Sequence, residues 1–257
     1  MKSLIGLRQR RLALVVAGAV AAAVAIGATS AQAQGNGDIL WRIVSNCLGA
    51  DAAARAQACP APRQVVPLAE MRFADTAEAT RACRRGTEVW DEAPERFVAI
   101  RDIKMCACPE NRDFLHGLAL PYARVHGVES AQRPDGIWAF AWQVGIARLG
   151  AAGRASLALA VNPTARRTQD QLHVHIVRLR EDYLRRLQEH PEYVLSTVRL
   201  KDLNEVWRAA PPPQGTVAPF TDFGLLLVSD GADGYLLRVV SAQVSPEDEY
   251  TQWRCPG

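Results

Sequence analysis

Histidine is scarce in this sequence, the net charge is small, and no second long apolar run follows the one at residues 12–26. Only five of the 257 residues are histidines, so any histidine chemistry must come from a small set of positions. A single apolar run excludes a polytopic membrane protein, which needs several stretches of about 20 apolar residues. With 49% hydrophobic and 22% charged residues, the composition also excludes a disordered or collagen-like chain.

The few charges are unevenly distributed along the chain. No acidic residue precedes Asp38, whereas Lys2, Arg8, Arg10 and Arg11 carry four of the 30 basic side chains. The other 26 basic residues face 27 acidic ones, so this part has a net charge of −1 rather than +3. A nearly neutral body lacks the basic face that nucleic-acid binding requires, and we expect no nucleic-acid partner.

The first 33 residues are typical of an export leader. Their basic stretch is followed by an apolar stretch at 12–26 and by Ala31, Gln32 and Ala33, a small-x-small cleavage site. Fifteen apolar residues fall short of the ~20 that span a bilayer, although an uncleaved anchor stays open as the alternative. We expect a signal peptide or N-terminal membrane anchor at 1–33 and one domain at 38–257. The mass of the mature protein distinguishes the two leaders.

Six cysteines agree with an oxidising compartment. They are Cys47, Cys59, Cys83, Cys106, Cys108 and Cys255. We expect disulfides, although spacing does not fix their connectivity. A local Cys47–Cys59 loop, a bridge from Cys83 to the Cys106/Cys108 pair and a distant partner for Cys255 are open possibilities.

Hydrophobic periodicity predicts a mixture of helices and strands. Helices are expected at 39–48, 134–150 and 181–190, and strands at 96–104, 118–125, 156–162 and 172–179. A hairpin is expected from strands at 223–229 and 235–240, and a loop at 50–67. Short loops and interspersed helices predict an α+β fold with a mainly antiparallel sheet.

The strand at 172–179 carries two of the five histidines. Because side chains alternate, Leu172, Val174 and Ile176 face a core while Gln171, His173 and His175 face the opposite side. Three interpretations are open. One is a metal site completed by Cys106, Cys108, His116 or His126; another is a pair of exposed histidines without chemistry. The third is nucleophilic catalysis at phosphorus.

The loop before this strand favours phosphate chemistry. Residues 162–171 contain no apolar side chain larger than alanine or proline, and Arg166, Arg167, Thr168 and Gln169 offer hydrogen-bond donors to phosphate oxygens. A solvated loop tip is the alternative role for the two arginines.

Residues 157–176 (LALAVNPTARRTQDQLHVHI) resemble the histidine-triad (HIT-like) superfamily of nucleotide hydrolases and transferases. Within it the sequence is most similar to the bacterial CDP-diacylglycerol pyrophosphatases, a likeness that extends to 97–130 and to WAFAWQ at 138–143. The resemblance implies a HIT-like α+β domain, with an antiparallel sheet, helices packed on one face, and an N-terminal leader or anchor helix.

The resemblance also implies site residues. In the motif His-φ-His-φ-His the central histidine is the nucleophile, which places His173 there and His175 last. Gln171 stands where the first, orienting histidine is usual, a departure from the motif. Asn162 falls where an asparagine positions substrate or nucleophile, and Gln169 where a side chain contacts the α-phosphate; Arg167 and Thr168 are further phosphate-binding candidates.

The implied reaction is hydrolysis of CDP-diacylglycerol to CMP and phosphatidate through a phospho-histidine, with no metal or cofactor. We expect a location at the periplasmic side of the inner membrane, or in the periplasm if the leader is cleaved. A membrane surface and a second copy in a homodimer are the expected partners besides substrate. The alternatives are an exported zinc-binding module and a degenerate triad protein that binds nucleotide or lipid without turnover.

Overall fold

The computed structural model describes residues 37–48, 63–65, 87–102, 105, 114–211, 222–231 and 234–253. The predicted leader at 1–33 lies outside the described residues, as do all the cysteines except Cys47. Cys47 is disulfide-bonded and buried, and the pairings of the other cysteines stay predictions. Within the described part, no helix has the length and apolar character needed to cross a bilayer.

A twisted sheet forms the centre of the fold. Its strands are β1 (Arg63–Val65), β2 (Thr87–Ala93), β3 (Phe97–Arg101), β4 (His116–Pro121), β5 (Leu157–Val161), β6 (Val174–Arg178), β7 (Val194–Leu200), β8 (Phe223–Ser229) and β9 (Tyr235–Ser241). Among the described residues they are ordered β1-β2-β3-β4-β6-β5-β8-β9-β7. Every neighbouring pair is antiparallel except β1–β2. The predicted α+β class with a mainly antiparallel sheet is confirmed.

Short helices connect these strands. They are α1 (Ile39–Ile43), which continues as a π-helical turn (Val44–Leu48), α2 (Ile137–Leu149), α3 (Tyr183–Glu189), α4 (Val206–Ala209) and α5 (Pro246–Tyr250). Single 3₁₀ turns lie at Ala151–Ser156, Thr164–Arg166, Pro191–Tyr193 and Leu203–Glu205.

The longest helix, α2, packs against the middle of one sheet face. Its Trp138 and Trp142 are buried in the main core with alternate residues of the strands. A Cβ on Gly145 would lie 2.6 Å from Leu157 Cδ1 and 3.1 Å from Ile176 Cγ2, so glycine permits this close approach. The predicted buried helix is confirmed.

The other sheet face is also covered, by two separate apolar clusters. Over β2, β3 and β4, the α1 segment packs on residues such as Val98 and Leu118. Over β5, β6, β8 and β9, Tyr250 of α5 packs on small residues such as Ala158 and Ala160. The predicted arrangement with helices on one face is therefore incomplete, because strands that are apolar on both sides require cover on both.

The two clusters meet where β4 lies beside β6. Here His116 pairs in register with Val177, and Leu118 with His175. His116 and His175 therefore lie at the boundary between the two apolar clusters, on the sheet face opposite α2. This boundary positions the candidate site.

Candidate active site

Five buried polar side chains from different elements meet at the start of β6. His173 stands just before the strand, His175 lies within it, and Asn162 follows the end of β5. His116 begins β4 and Glu247 lies in α5. Their exposed fractions lie between 0% and 8%. Buried polar groups are costly unless paired, so such a cluster in an apolar interior indicates a site of chemistry.

His173 has a defined tautomer. Its Nδ1 lies 2.7 Å from the main-chain oxygen of Gln171. A carbonyl oxygen only accepts, so Nδ1 carries the proton and the neutral ring keeps a lone pair on Nε2. This is the arrangement that a nucleophilic imidazole requires.

Burial also keeps His173 neutral. It lowers the pKa of the imidazole below its ordinary 6.5, and the charge of Arg167 acts in the same direction. The hydrogen bond to Gln171 and the charges of Glu247 and Asp102 raise the pKa, but burial is the largest cause. At neutral pH the ring is therefore unprotonated and its Nε2 is available for attack.

The Gln171 side chain is turned toward main-chain groups rather than toward the histidines. Its Oε1 accepts from Val125 N at 3.2 Å, and its Nε2 donates to Pro121 O at 3.1 Å and to Ala123 O at 2.8 Å. The amide thus fastens the segment after β4 to the start of β6. In these contacts Gln171 reaches the site through its main-chain carbonyl and not through its side chain.

His175 lies in a tight group with His116 and Glu247. His175 Nδ1 is 3.1 Å from His116 Nε2, and His175 Nε2 is 3.3 Å from Glu247 Oε2. His116 Nε2 is also 3.2 Å from Glu247 Oε1. The His173 and His175 rings meet edge to face, with centroids 4.8 Å apart. The two predicted histidines therefore share one site, and His175 has a buried carboxylate beside it.

Asn162 holds that carboxylate in place. Its Nδ2 donates to Glu247 Oε2 at 2.8 Å, while its Oδ1 accepts from Ser245 Oγ at 2.8 Å. Ser245 also caps α5 by accepting from Asp248 N at 3.1 Å. The structure thus connects Asn162 to the site through Glu247, and its predicted contact with substrate stays a prediction.

The predicted phosphate-binding residues lie on the loop between β5 and β6, and two of them have protein partners. Arg167 donates to both carboxylate oxygens of Glu129, one at 2.7 Å, and its side chain is 6% exposed. Gln169 Oε1 accepts from Leu40 N at 3.0 Å, at the start of α1. Thr168 is exposed. To contact a phosphate, Arg167 would have to release Glu129, and Gln169 would have to release the main-chain N–H of Leu40.

Sequence analysis missed Glu247 and treated His116 only as a possible metal ligand. Glu247 is 85 residues from its partner Asn162 in sequence, and His116 is 59 residues from His175. The only local signal is the pattern Ser-Pro-Glu-Asp-Glu at 245–249, an N-capped helix start with nothing that indicates chemistry. Glu247 therefore becomes recognisable only when the sheet is assembled.

His116, His175 and Glu247 are also the described residues that could hold a metal ion. Ligand atoms of His116, His175 and Glu247 lie within 4.8 Å of one another. The expected zinc site combined His173 and His175 with Cys106, Cys108, His116 or His126, so it shares His116 and His175 with this group. His173 is hydrogen-bonded to Gln171 O, His126 forms an isolated bridge with Gln171, and Cys106 and Cys108 lie outside the described residues. Two histidines and a carboxylate are a known donor set for zinc.

The position of Glu247 depends on a glycine in β8, which gives a first prediction. A Cβ on Gly224 would lie 2.8 Å from Pro246 Cδ and 3.1 Å from Pro163 Cδ. Gly224→Ala should push α5 from the sheet, lower the free energy of unfolding by about 1–3 kcal/mol and reduce turnover. Chemical denaturation and steady-state kinetics measure both. Gly234→Ala is the matched control, since its nearest atom would be at 3.4 Å; equal behaviour of the two variants would contradict this role.

Comparison with known proteins gives one family. The family model described as CDP-diacylglycerol pyrophosphatase matches residues 82–203, which include β2 to β7, His173 and His175. The matched segment ends before Glu247, which lies in α5. No curated protein matches the chain significantly.

Proposed function

We propose that the chain is a hydrolase of the CDP-diacylglycerol pyrophosphatase family, whose model matches residues 82–203, and that His173 carries out the hydrolysis as a nucleophile. The observation that supports the proposal is the short contact of His173 Nδ1 with Gln171 O, which leaves Nε2 unprotonated. Substrate would be CDP-diacylglycerol, and the products CMP and phosphatidate.

The proposed reaction has two displacements. The lone pair on His173 Nε2 forms a bond to one phosphorus of the pyrophosphate, and the bond from that phosphorus to the bridging oxygen breaks. The bridging oxygen leaves with its electron pair on the other phosphate. Water then attacks the phospho-histidine, the N–P bond breaks, and one proton of the water is released. The enzyme returns with a neutral imidazole.

His175 has the second role in this proposal. Its ring lies beside His173, and a protonated His175 would donate to a non-bridging phosphate oxygen as negative charge increases in the transition state. The Glu247 carboxylate lies 3.3 Å from His175 Nε2. Nucleophile and proton donor would then approach the same phosphate from adjacent rings.

The activity should be measured as CMP and phosphatidate release from CDP-diacylglycerol in detergent micelles, with EDTA present. We expect turnover that the chelator does not affect. The proposal is contradicted if the purified, folded protein releases no CMP from this substrate. His190→Ala serves as a control for histidine replacement, because His190 lies outside the site and pairs with Glu192.

The dependence of activity on pH gives a second prediction. Since burial lowers the pKa of His173, its neutral form persists below pH 6.5. We therefore expect the acid limb of kcat/KM, where His173 becomes protonated, to lie at lower pH than 6.5. A profile of kcat/KM from pH 4.5 to 9 checks this. An acid limb clearly above 6.5 would contradict a nucleophile that burial keeps neutral.

The cellular setting is part of the same proposal. The basic and apolar leader at 1–33 supports export, and a lipid substrate supports association with the periplasmic side of the inner membrane. The nearly neutral body offers weak attraction to anionic lipid, so the leader would provide most of the membrane affinity. A homodimer is proposed from the resemblance alone, and light scattering of the purified protein tests it.

An exported zinc-binding module is a second candidate, favoured by the proximity of His116, His175 and Glu247. It predicts about one zinc per chain in the purified protein and loss of stability on chelation. Elemental analysis distinguishes it from the proposed hydrolase, for which EDTA should leave both turnover and stability unchanged.

A further inference from the structure

The first triad position of this chain lacks an imidazole, yet His175 still has an imidazole partner. The side-chain amide of Gln171 forms hydrogen bonds with three main-chain groups, Val125 N, Pro121 O and Ala123 O. His116, from the neighbouring strand β4, places its Nε2 3.1 Å from His175 Nδ1. We propose that His116 and Glu247 together form a buried positioning pair that fixes the tautomer and orientation of His175, the task that the side chain at position 171 does not perform. This inference rests on the proposed function.

The tautomers follow from the contacts of His116. Its ring is fully buried, and Nδ1 has no hydrogen-bond partner among the described residues. A buried N–H without an acceptor costs more than an unused lone pair, so the proton of a neutral His116 belongs on Nε2. From there it faces two acceptors, His175 Nδ1 at 3.1 Å and Glu247 Oε1 at 3.2 Å, and the positioning pair uses the hydrogen bond to His175 Nδ1.

The tautomer of His175 is determined in turn. If Nδ1 accepts from His116, a neutral His175 carries its proton on Nε2. That nitrogen lies 3.3 Å from Glu247 Oε2. This contact is at ion-pair distance but lacks hydrogen-bond geometry, so Glu247 acts on His175 through its charge, whereas His116 acts through a hydrogen bond.

Glu247 is itself held rigidly, as a positioning residue must be. Asn162 donates to its Oε2 at 2.8 Å, and α5 is fixed against β8 by the close contact of Gly224 with Pro246. Two other charged groups affect the pKa of His173: Asp102 raises it and Arg167 lowers it. Asp102 Oδ2 lies 3.9 Å from His116 Nε2, farther than either Glu247 or His175. Glu247 is therefore the carboxylate in closest contact with both imidazoles.

A metal ion is the competing occupant of the same three residues. Metal-binding histidines usually donate their second ring N–H to a neighbouring acceptor. His116 Nδ1 has no such acceptor among the described residues, whereas its Nε2 is hydrogen-bonded to His175 Nδ1 at 3.1 Å. The geometry thus favours a hydrogen-bonded pair, and zinc binding is an outcome that the experiment must detect.

The first measurement uses the unaltered protein. Long-range ¹⁵N–¹H correlation spectra of ¹⁵N-histidine-labelled enzyme near pH 8 distinguish the two neutral tautomers. We expect the Nε2–H form for His175 and for His116, and the Nδ1–H form for His173. An Nδ1–H tautomer for His175 would overturn the positioning pair, whatever the result for His173.

The second measurement compares Glu247→Gln with Glu249→Gln. Both residues lie in α5, but the ion pair of Glu249 is with Arg186, at 2.7 Å, and not with an imidazole of the site. Glu247→Gln should lower kcat about 10²-fold with little change in KM, and should move the acid limb of kcat/KM to lower pH, since a charge that raises the pKa of His173 is removed. Glu249→Gln should change neither.

The third measurement tests His116, whose replacement could prevent folding. His116→Gln keeps a donor near the position of Nε2, whereas His116→Leu removes it. The glutamine variant should retain more turnover than the leucine variant at equal thermal stability. If the leucine variant does not fold, the spectra and the Glu247→Gln kinetics still decide the proposal.

The outcomes separate this inference from the proposed function. Normal turnover by His173→Ala would end the proposed function itself. If His173→Ala is inactive but Glu247→Gln keeps normal kcat and an unmoved acid limb, only the positioning pair is overturned. Stoichiometric zinc that is lost in Glu247→Gln would overturn it as well, in favour of a metal site.

Discussion

Replacing His173 by alanine is expected to lower kcat for CDP-diacylglycerol hydrolysis by about 10⁴-fold or more. The reason is that no other described side chain offers an unprotonated ring nitrogen set by a main-chain carbonyl 2.7 Å away. Because the ring is buried, with 8% of its surface exposed, the substitution also removes packing, and the folded fraction of the variant must be measured beside its turnover. Steady-state assays with thermal melting of each variant make this comparison.

The control for this loss is His190→Ala, at an exposed histidine that stacks on Tyr193. It should leave turnover unchanged. The nucleophile assignment would be wrong if His173→Ala kept more than about a tenth of wild-type kcat, because removal of a covalent nucleophile costs orders of magnitude.

Replacing His175 by glutamine should produce the second largest loss, about 10²–10³-fold in kcat with KM little changed. A glutamine amide keeps a hydrogen-bond donor, but it cannot transfer a proton to phosphate as charge increases. The expected loss is therefore smaller than that for the nucleophile. Single-turnover kinetics separate the first displacement from the hydrolysis of the intermediate.

The outcome that contradicts this role is specific. If His175→Gln raised KM and left kcat unchanged, His175 would contribute to binding in the ground state rather than to the transition state. Glu249→Gln, in the same layer of the fold but paired with Arg186, provides the matched control.

Much of the fold could be predicted because its strands and main helix have strong periodic patterns. The strands at 157–161 and 223–229 and the helix at 137–149 fall within the predicted ranges. β2 and β7 could not be predicted. β2 lies in mixed, charged sequence, and β7 is a sheet edge whose side chains are mostly exposed or half-buried. An edge strand lacks the two-sided burial that makes its neighbours apolar.

The candidate site could be predicted in part, for a related reason. His173, His175 and the Gln171 carbonyl lie within five residues, so one strand pattern brings them together. Glu247 joins them only because the sheet order brings β8 beside β5, and Gly224 then allows α5 to approach. Such contacts depend on tertiary structure, and no local spacing encodes them.

The proposed two-displacement reaction has a stereochemical consequence that tests the central claim most directly. CDP-diacylglycerol with sulfur replacing one non-bridging oxygen, at each phosphorus in turn and in one configuration, would be hydrolysed in H₂¹⁸O. The phosphorus that gains ¹⁸O is the one attacked, and its configuration is read from the product. Attack by His173 followed by water inverts that centre twice, so we predict retention of configuration. Inversion would show that water attacks directly and would contradict a phospho-histidine intermediate.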